Sequence, residues 1–510
     1  MQVSSPTLLS PRCPRHILGL TLSALLLAGC ASTGDLHTHS TVGSANQLAA
    51  TASLDGTPVS PAVWPTEAWW ESFGDAQLTQ LVVAALAEQP SLRVAAARVR
   101  QADALASVAG APLSPQGNLN GRATRQRFSE HSTTPQPLAG SWDWTADLQA
   151  GVGYEIDFWG KNRAALDAAL QRAQAAEVDR HAAELMLTTS LVRAYLKLDT
   201  AYLLRDLAED TLRQREDTLK LTQRRVDAQL DSRLDMKQAE AALPATRERI
   251  AALNEQIALT RNQVAALVGR GPDAGIQVGR PSLRGGFAGA IPTTVPAELI
   301  GRRPDVVAQR WRVEAAGAEI KVARAQFYPN VSLTAFTGLQ SLGLSDLMNA
   351  GSRVLGIGPA ISLPVFDGGR LRGNLGARQA EYDVAVEQYN GTLVTALHDV
   401  VDQLVSLRWQ AERSAQQQEA LRLTQEAYDM ASARYRSGVG SYLQVLSAEG
   451  QVLQQKQLLI ELDTRNRALH LELIRALGGG YVPEASKTSA GAASAAASGA
   501  AALTEAGRPS

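Results

Sequence analysis

Trp142-Asp-Trp-Thr-Ala-Asp-Leu-Gln-Ala-Gly-Val-Gly-Tyr-Glu-Ile-Asp-Phe158 alternates without a slip. Trp142, Trp144, Ala146, Leu148, Ala150, Val152, Tyr154, Ile156 and Phe158 are apolar or small; the residues between them are polar or glycine. A period of two puts one strand face in apolar surroundings and the other in water. The run exceeds the roughly 5–6 residues of an ordinary soluble strand. Its aromatic residues gather at the two ends, like the girdles of a membrane β-barrel. The alternation returns at Leu355, Ile357, Pro359, Ile361, Leu363 and Val365, where prolines count against a soluble central strand. Weaker partners lie at Gly117–Arg127 and Asn330–Gly338. Two hairpins give four strands, too few to close a barrel, and an open edge in lipid leaves backbone groups unsatisfied. Two chains would supply eight strands and a filled interior; three would supply twelve and a lumen.

Outside the strands the chain reads as long helices. No proline falls between about Ala164 and Gln229, and a helix of about 65 residues would be roughly 100 Å long. A return helix from Ser232 to Leu267 carries Pro244, which should kink or break it. A second pair spans Leu371–Ser437 and Ser441–Leu477, turning at Gly438-Val439-Gly440. The first pair turns at Ala228–Asp231 with no glycine. The two halves are copies: Arg225, Ser232, Leu234, Ala239 and Glu240 recur 209 positions later as Arg434, Ser441, Leu443, Ala448 and Glu449. Sustained heptads require such helices to pack on neighbours along a wall.

The ends carry address information. Arg12 and Arg15 precede the apolar run Ile17–Ala28, too short to span a bilayer, in the manner of a secretory signal. Leu27-Ala28-Gly29-Cys30 resembles a bacterial lipobox, which makes Cys30 the expected lipidated first residue of the mature chain. Ala31 and Ser32, with no Asp at the second position, favour outer-membrane sorting in that resemblance. Cys13 leaves with the signal, so no disulfide is expected. Residues 31–60 read as an unpatterned tether, and Glu484–Ser510, rich in Ala, Ser and Gly, as a disordered tail. His37 and His39 in the tether are read as solvated.

Among 510 residues the net charge is −1, so no field for a polyanion is present. No phosphate-binding Gly loop and no His-Glu-x-x-His occurs. Glu155 and Asp157 could be taken for an acid/base pair, but alternation already accounts for them as lumen-facing residues. A lipid-anchored coiled-coil spacer without a pore is the competing reading. It has no use for membrane-type strands.

Several stretches, in order, resemble the TolC-like outer-membrane efflux channels, in particular the lipoprotein (NodT-type) outer-membrane factors of tripartite pumps. They are Trp69-Trp70-x-x-Phe73-Gly74-Asp75, Tyr154–Gly160, Arg302-Arg303-Pro304-Asp305, Ala325–Pro329, Leu363–Gly369 and Ala476–Gly480. The resemblance implies a mainly α fold with a membrane β-barrel. Three chains would form a twelve-stranded barrel continuous with a twelve-helix periplasmic tunnel. The expected organisation is 1–29 signal peptide, 30–63 tether, 64–270 repeat one, 271–298 linker, 299–482 repeat two and 483–510 tail. The loops 129–141 and 339–352 would face outside. The implied activity is passive exit, without cofactor or catalysis, alongside a periplasmic adaptor and an inner-membrane pump. For the periplasmic gate the resemblance points to Asp235 and Tyr435. The family's next arginine is Gly440 here, leaving Arg434 or Arg436 to replace it. The family's inner carboxylate positions are Gln444 and Ser447, implying a less cation-selective mouth. Adaptor contact would fall on Leu230, Asp231 and Ser232 and on Gly438, Val439, Gly440 and Ser441.

Overall fold

The computed structural model describes residues 36–44, 48, 64–285 and 301–482. Cys30, the signal region, most of the tether, part of the linker and the tail lie outside the described residues. A 3-10 turn at Trp69–Phe73 leads into α1 (Ala76–Glu88) and α2 (Pro90–Gly110). The first hairpin is β1 (Gln116–Arg127) and β2 (Trp142–Ile156), followed by α3 (Lys161–Asp227) and α4 (Arg233–Val268). After the short α5 (Pro272–Ile276), the second copy runs α6 (Pro304–Ala325), β3 (Asn330–Leu342), β4 (Arg353–Ser362), α7 (Arg370–Arg436) and α8 (Tyr442–Ala476). The equivalent helices α3 and α7 are each 67 residues long. None of the described helices is long and apolar enough to cross a membrane.

The residues divide into two compact units. The first contains all four strands, in one antiparallel sheet of order β1-β2-β3-β4. Register places Leu119 against Ala150, Leu148 against Leu339, Tyr154 against Leu333 and Ala335 against Ile357, so these share a face. That face is bare: Leu355, Ile357 and Ile361 are 81, 78 and 73% exposed, far more apolar surface than a soluble monomer presents. The other face carries Asn120 opposite Gln149, Arg122 opposite Asp147 and Thr334 opposite Gly358. β1 and β4 each have one unpaired edge within the chain, and β4 is the strand that carries Pro359. At the helical end of the sheet, Ile320, Phe327, Leu371 and Leu375 form a small core.

Two of the motifs prove to be strand-to-helix caps. Asp157 accepts from the amides of Asn162 (3.1 Å) and Arg163 (2.9 Å), starting α3. Asp367 accepts from Gly369 (3.0 Å) and Leu371 (2.8 Å), starting α7. Such carboxylates satisfy amides that a helix start leaves unpaired. Glu155 is ion-paired with Lys161 at 2.5 Å.

The second unit holds the main core, where Trp69, Phe73, Leu78, Leu191, Tyr195 and Ile474 are buried. Asp75 caps α1 and also accepts from Tyr195 Oη (2.8 Å) and the Ser282 amide (2.7 Å), fastening the start of repeat one to α3 and to the linker. Arg303 is 5% exposed; it pairs with Asp305 and Asp399 and donates to the carbonyls of Ala396 and Ala476.

One expectation needs correction. Pro244 sits inside an unbroken α4. The proline removes only the amide that would bond the Glu240 carbonyl, one hydrogen bond out of a 36-residue helix. Two residues on, the Thr246 hydroxyl and the Arg215 guanidinium both donate to the Ala242 carbonyl, at 2.8 and 3.3 Å. The described tether residues also make contacts. The His39 and Ser40 amides both donate to Asp383, the Gly43 amide donates to Asn390, and Leu48 packs on the cluster around Leu397. Asp383, Asn390 and Leu397 succeed one another at one heptad on α7.

Candidate functional site at the hairpin tips

Both hairpins turn by the same device. In the second, Gly438 takes the left-handed conformation (φ 84°) and the Val439 amide donates to the Arg434 carbonyl at 3.0 Å. In the first, Gln229 occupies the equivalent place at φ 61°, and the Leu230 amide donates to Arg225 at 2.8 Å. A left-handed residue that releases helix carbonyls to later amides ends a helix tightly. For glutamine this conformation costs about 1–2 kcal/mol.

Between the turns lies a buried polar knot. Arg225 grips Asp231 through Nε (2.9 Å) and Nη2 (3.1 Å), and its Nη1 donates to the Tyr435 carbonyl at 2.8 Å. The guanidinium lies over the Tyr435 ring, 4.4 Å from its centroid. The Tyr435 hydroxyl donates to Asp231 at 2.5 Å and lies 3.0 Å from Thr222 Oγ1. The side chains of Arg225 and Asp231 are 10 and 8% exposed, and Tyr435 is 1% exposed. Tyr442, Val445 and Ala239 form the apolar collar.

The electrostatics follow from burial and pairing. Burial alone would raise the Asp231 carboxyl, but the hydrogen bonds from Arg225 and Tyr435 outweigh it and hold it below its usual value. The Asp231 hydrogen bond raises Arg225. Burial first, then the bond to Asp231, lifts the Tyr435 phenol to about 12. At neutral pH the knot is therefore a carboxylate, a guanidinium and a neutral phenol.

Within the chain, the Arg225 and Asp231 side chains hydrogen-bond to Tyr435, whereas those of Asp235, Arg434 and Arg436 do not. Tyr435 is joined to Asp231, not to Asp235. Asp235 forms a capping box with Ser232, accepting its amide at 3.0 Å while Ser232 Oγ accepts the Asp235 amide at 3.2 Å. Arg434 and Arg436 are exposed, and the arginine on Tyr435 is Arg225 from the other copy. Gln444 and Ser447 are exposed on α8. Thr222 and Arg225 were missed by sequence. The available signal was an asymmetry between the copies: Asp231 aligns with Gly440, so the arginine shared by both copies has a carboxylate near its turn in only one.

Farther from the turn, Arg215 pairs with Glu449 at 3.1 Å and also holds Thr246 at 2.8 Å, joining α3, α4 and α8. Burial raises the Glu449 carboxyl against the pull of Arg215. At the outer surface of the turns, Leu230 and Leu234 are 65 and 66% exposed, and their repeat equivalents Val439 and Leu443 are 70 and 60% exposed. Each tip thus offers a matched apolar pair. Among the described residues no cluster of metal-ligating side chains occurs.

Comparison with known proteins gives this arrangement a context. The family model described as outer membrane efflux protein matches twice, over residues 81–270 and 295–479. The fusaric acid resistance protein FusA of Burkholderia cepacia is 40% identical over 71% of this chain and 69% of its own. The multidrug resistance outer membrane protein MdtP of Escherichia coli K12 is 33% identical over 82% of this chain and 87% of its own. Among solved structures, the outer membrane protein VceC of Vibrio cholerae superposes with TM-score 0.76 at 39% identity, covering 82% of this chain and all of VceC. The outer-membrane channel OprN gives 0.78 at 28% identity over 89% of this chain and all of OprN.

Proposed function

Because this chain belongs to the outer membrane efflux protein family, we propose that three copies join edge to edge into one twelve-stranded barrel continuous with a twelve-helix tunnel. The chain is an outer-membrane efflux channel, a passive exit duct of a tripartite pump. One observation carries the trimer: a four-stranded sheet with a bare apolar face and two unpaired edges. Lipid accepts the face but not the edges, so other copies must close them. Three copies give a lumen where two give a filled barrel.

In that assembly the loops at 128–141 and 343–352 face outside and the hairpin tips face the periplasm. The Arg225–Asp231–Tyr435 knot holds the tips together as the gate, with Gln444 and Ser447 just inside it. The apolar pairs Leu230/Leu234 and Val439/Leu443 receive the periplasmic adaptor, with Ser232, Gly438, Gly440 and Ser441 lining the turns, and the adaptor links the duct to an inner-membrane pump. Cys30 carries the lipid that anchors the chain to the outer membrane. The cargo is small organic toxins or drugs, as the names of FusA and MdtP suggest for those relatives.

The test is reconstitution of the purified protein in planar bilayers, with its mass measured in detergent by light scattering. A trimeric mass with discrete conductance steps is expected. A monomer that conducts nothing would return the chain to the spacer reading.

A further inference from the structure

The apolar face of the sheet changes character at the loop end. There the β1–β2 register sets Arg125 opposite Trp144 and Arg127 opposite Trp142, and the β3–β4 register sets Arg353 opposite Leu339. Leu339 in turn faces Leu148, so all three arginines share the face of Trp144 and Leu148. The nearby acidic residues of β2 point the other way: Asp143 and Asp147 lie opposite Gln126 and Arg122 on the polar face. Arg125, Arg127 and Arg353 therefore lie on the outward face, while Arg122 and these strand carboxylates lie on the other.

Arg125 and Arg353 are exposed and have no ion-pair or hydrogen-bond partner among the described residues. Arg127 has one partner, Glu130 in the loop, at 2.8 Å, with both side chains more than half exposed. The remaining loop carboxylate, Asp346, is occupied by Asn349 at 2.8 Å.

β1 and β4 are the two open edges. Closure by like copies sets β1 of one copy antiparallel to β4 of the next, about 4.8 Å away, with their loop ends together. Hydrogen bonding in the sheet plane leaves the outward side chains uncovered. Each seam then gathers Arg125 and Arg127 of one copy and Arg353 of the adjoining copy beside the Trp142/Trp144 girdle. Glu130 offsets only Arg127, so the guanidiniums still repel one another unless a further anion lies among them. Tryptophan girdles mark the level of lipid headgroups, and guanidinium forks match phosphate oxygens in pairs.

We propose that each of the three barrel seams binds a phosphorylated lipid headgroup of the outer leaflet through Arg125, Arg127 and Arg353. This site rests on the trimer proposed above. Bound there, the lipid bridges two copies and steadies the closed barrel.

The test uses the full-length lipidated protein in neutral detergent. Native mass spectrometry follows titration with bis-phosphorylated lipid A, with phosphatidylcholine and with inorganic phosphate. Up to three lipid A molecules per trimer are expected, with no comparable uptake of phosphatidylcholine or phosphate. Combining Arg125→Ser with Arg353→Ser should weaken lipid A binding at least tenfold. The pair Arg125→Gln and Arg127→Gln, which leaves β4 untouched, should weaken it in the same direction. Equal uptake of inorganic phosphate or phosphatidylcholine, or undiminished lipid A binding by both variants, overturns the seam site while the trimer stands. A protein that is monomeric before any substitution overturns the trimer, and the seam with it.

Discussion

Replacing Asp231 with alanine removes the acceptor of two hydrogen bonds from Arg225 and one from the Tyr435 hydroxyl. The guanidinium left behind is 10% exposed and keeps only the Tyr435 carbonyl. Stranding a buried charge in this way costs about 3–5 kcal/mol in the closed arrangement. Tyr435→Phe deletes one hydrogen bond and should cost about 1–2 kcal/mol. At roughly 1.4 kcal/mol per tenfold, Asp231→Ala should, in the gate proposed above, shift each tip away from this arrangement by about a hundredfold or more. Single-channel recording in planar bilayers reads the result. Conductance should rise in Asp231→Ala and rise less in Tyr435→Phe. The double variant should fall short of the sum, because both changes break one network. Asp235→Ala is the internal control. It removes only the return bond of the capping box, leaving Ser232 Oγ on the backbone amide, a loss of less than about 1 kcal/mol, and should leave conductance unchanged.

The pH dependence has a definite sign. The folded Asp231 carboxyl lies below its ordinary value of 3.8, so its contribution is complete above that value and is lost as pH falls through the lowered one. Conductance should stay level from neutral to about pH 4 and climb only below it. An Asp231→Ala trimer that conducts like the parent, or an Asp235→Ala trimer that opens equally, would refute the assignment.

Other outcomes follow from the same structure. Asp383→Ala should free residues 37–44 from α7, read as faster amide exchange at His39 and Ser40, whereas Asp383→Asn, which keeps an acceptor oxygen, should retain part of the protection. Arg303→Ala removes the cation shared by Asp305 and Asp399, which are 45 and 26% exposed, while Asp399 keeps Arg475; it should lower stability by about 1–3 kcal/mol, and Arg303→Lys should not restore it fully because one ammonium cannot span the fork. Burial lowers His470 from 6.5, and its Nδ1 has no partner among the described residues. Its contribution is therefore present above pH 6.5 and is lost as pH falls through the lowered folded value, so thermal unfolding of His470→Leu should depend less on pH across that window.

The strands and long helices were legible because each has a period that a single chain must obey. Alternation from Trp142 to Phe158 dictated two unlike faces, and heptads in both copies dictated helices packed along their length. The hairpin turns, repeated 209 positions apart, were legible for the same reason. The roles of single polar residues were less so. Asp231 and Asp235 both stand beside a helix start, and nothing in their spacing tells a cap from a buried partner.

The sequence by itself determined the duplication, the membrane-type sheet and the need for other copies, since these rest on periodicity and on backbone groups that must be satisfied. Only the tertiary structure decided that Arg225, from the first copy, holds Tyr435, from the second, through Asp231. It also decided that Pro244 leaves α4 whole and that His39, Ser40 and Gly43 bond to α7. The first and the last depend on contacts between residues far apart in the chain. Local pattern fixes which way a side chain points on its own element; which partner it meets there is set by the packing of the others.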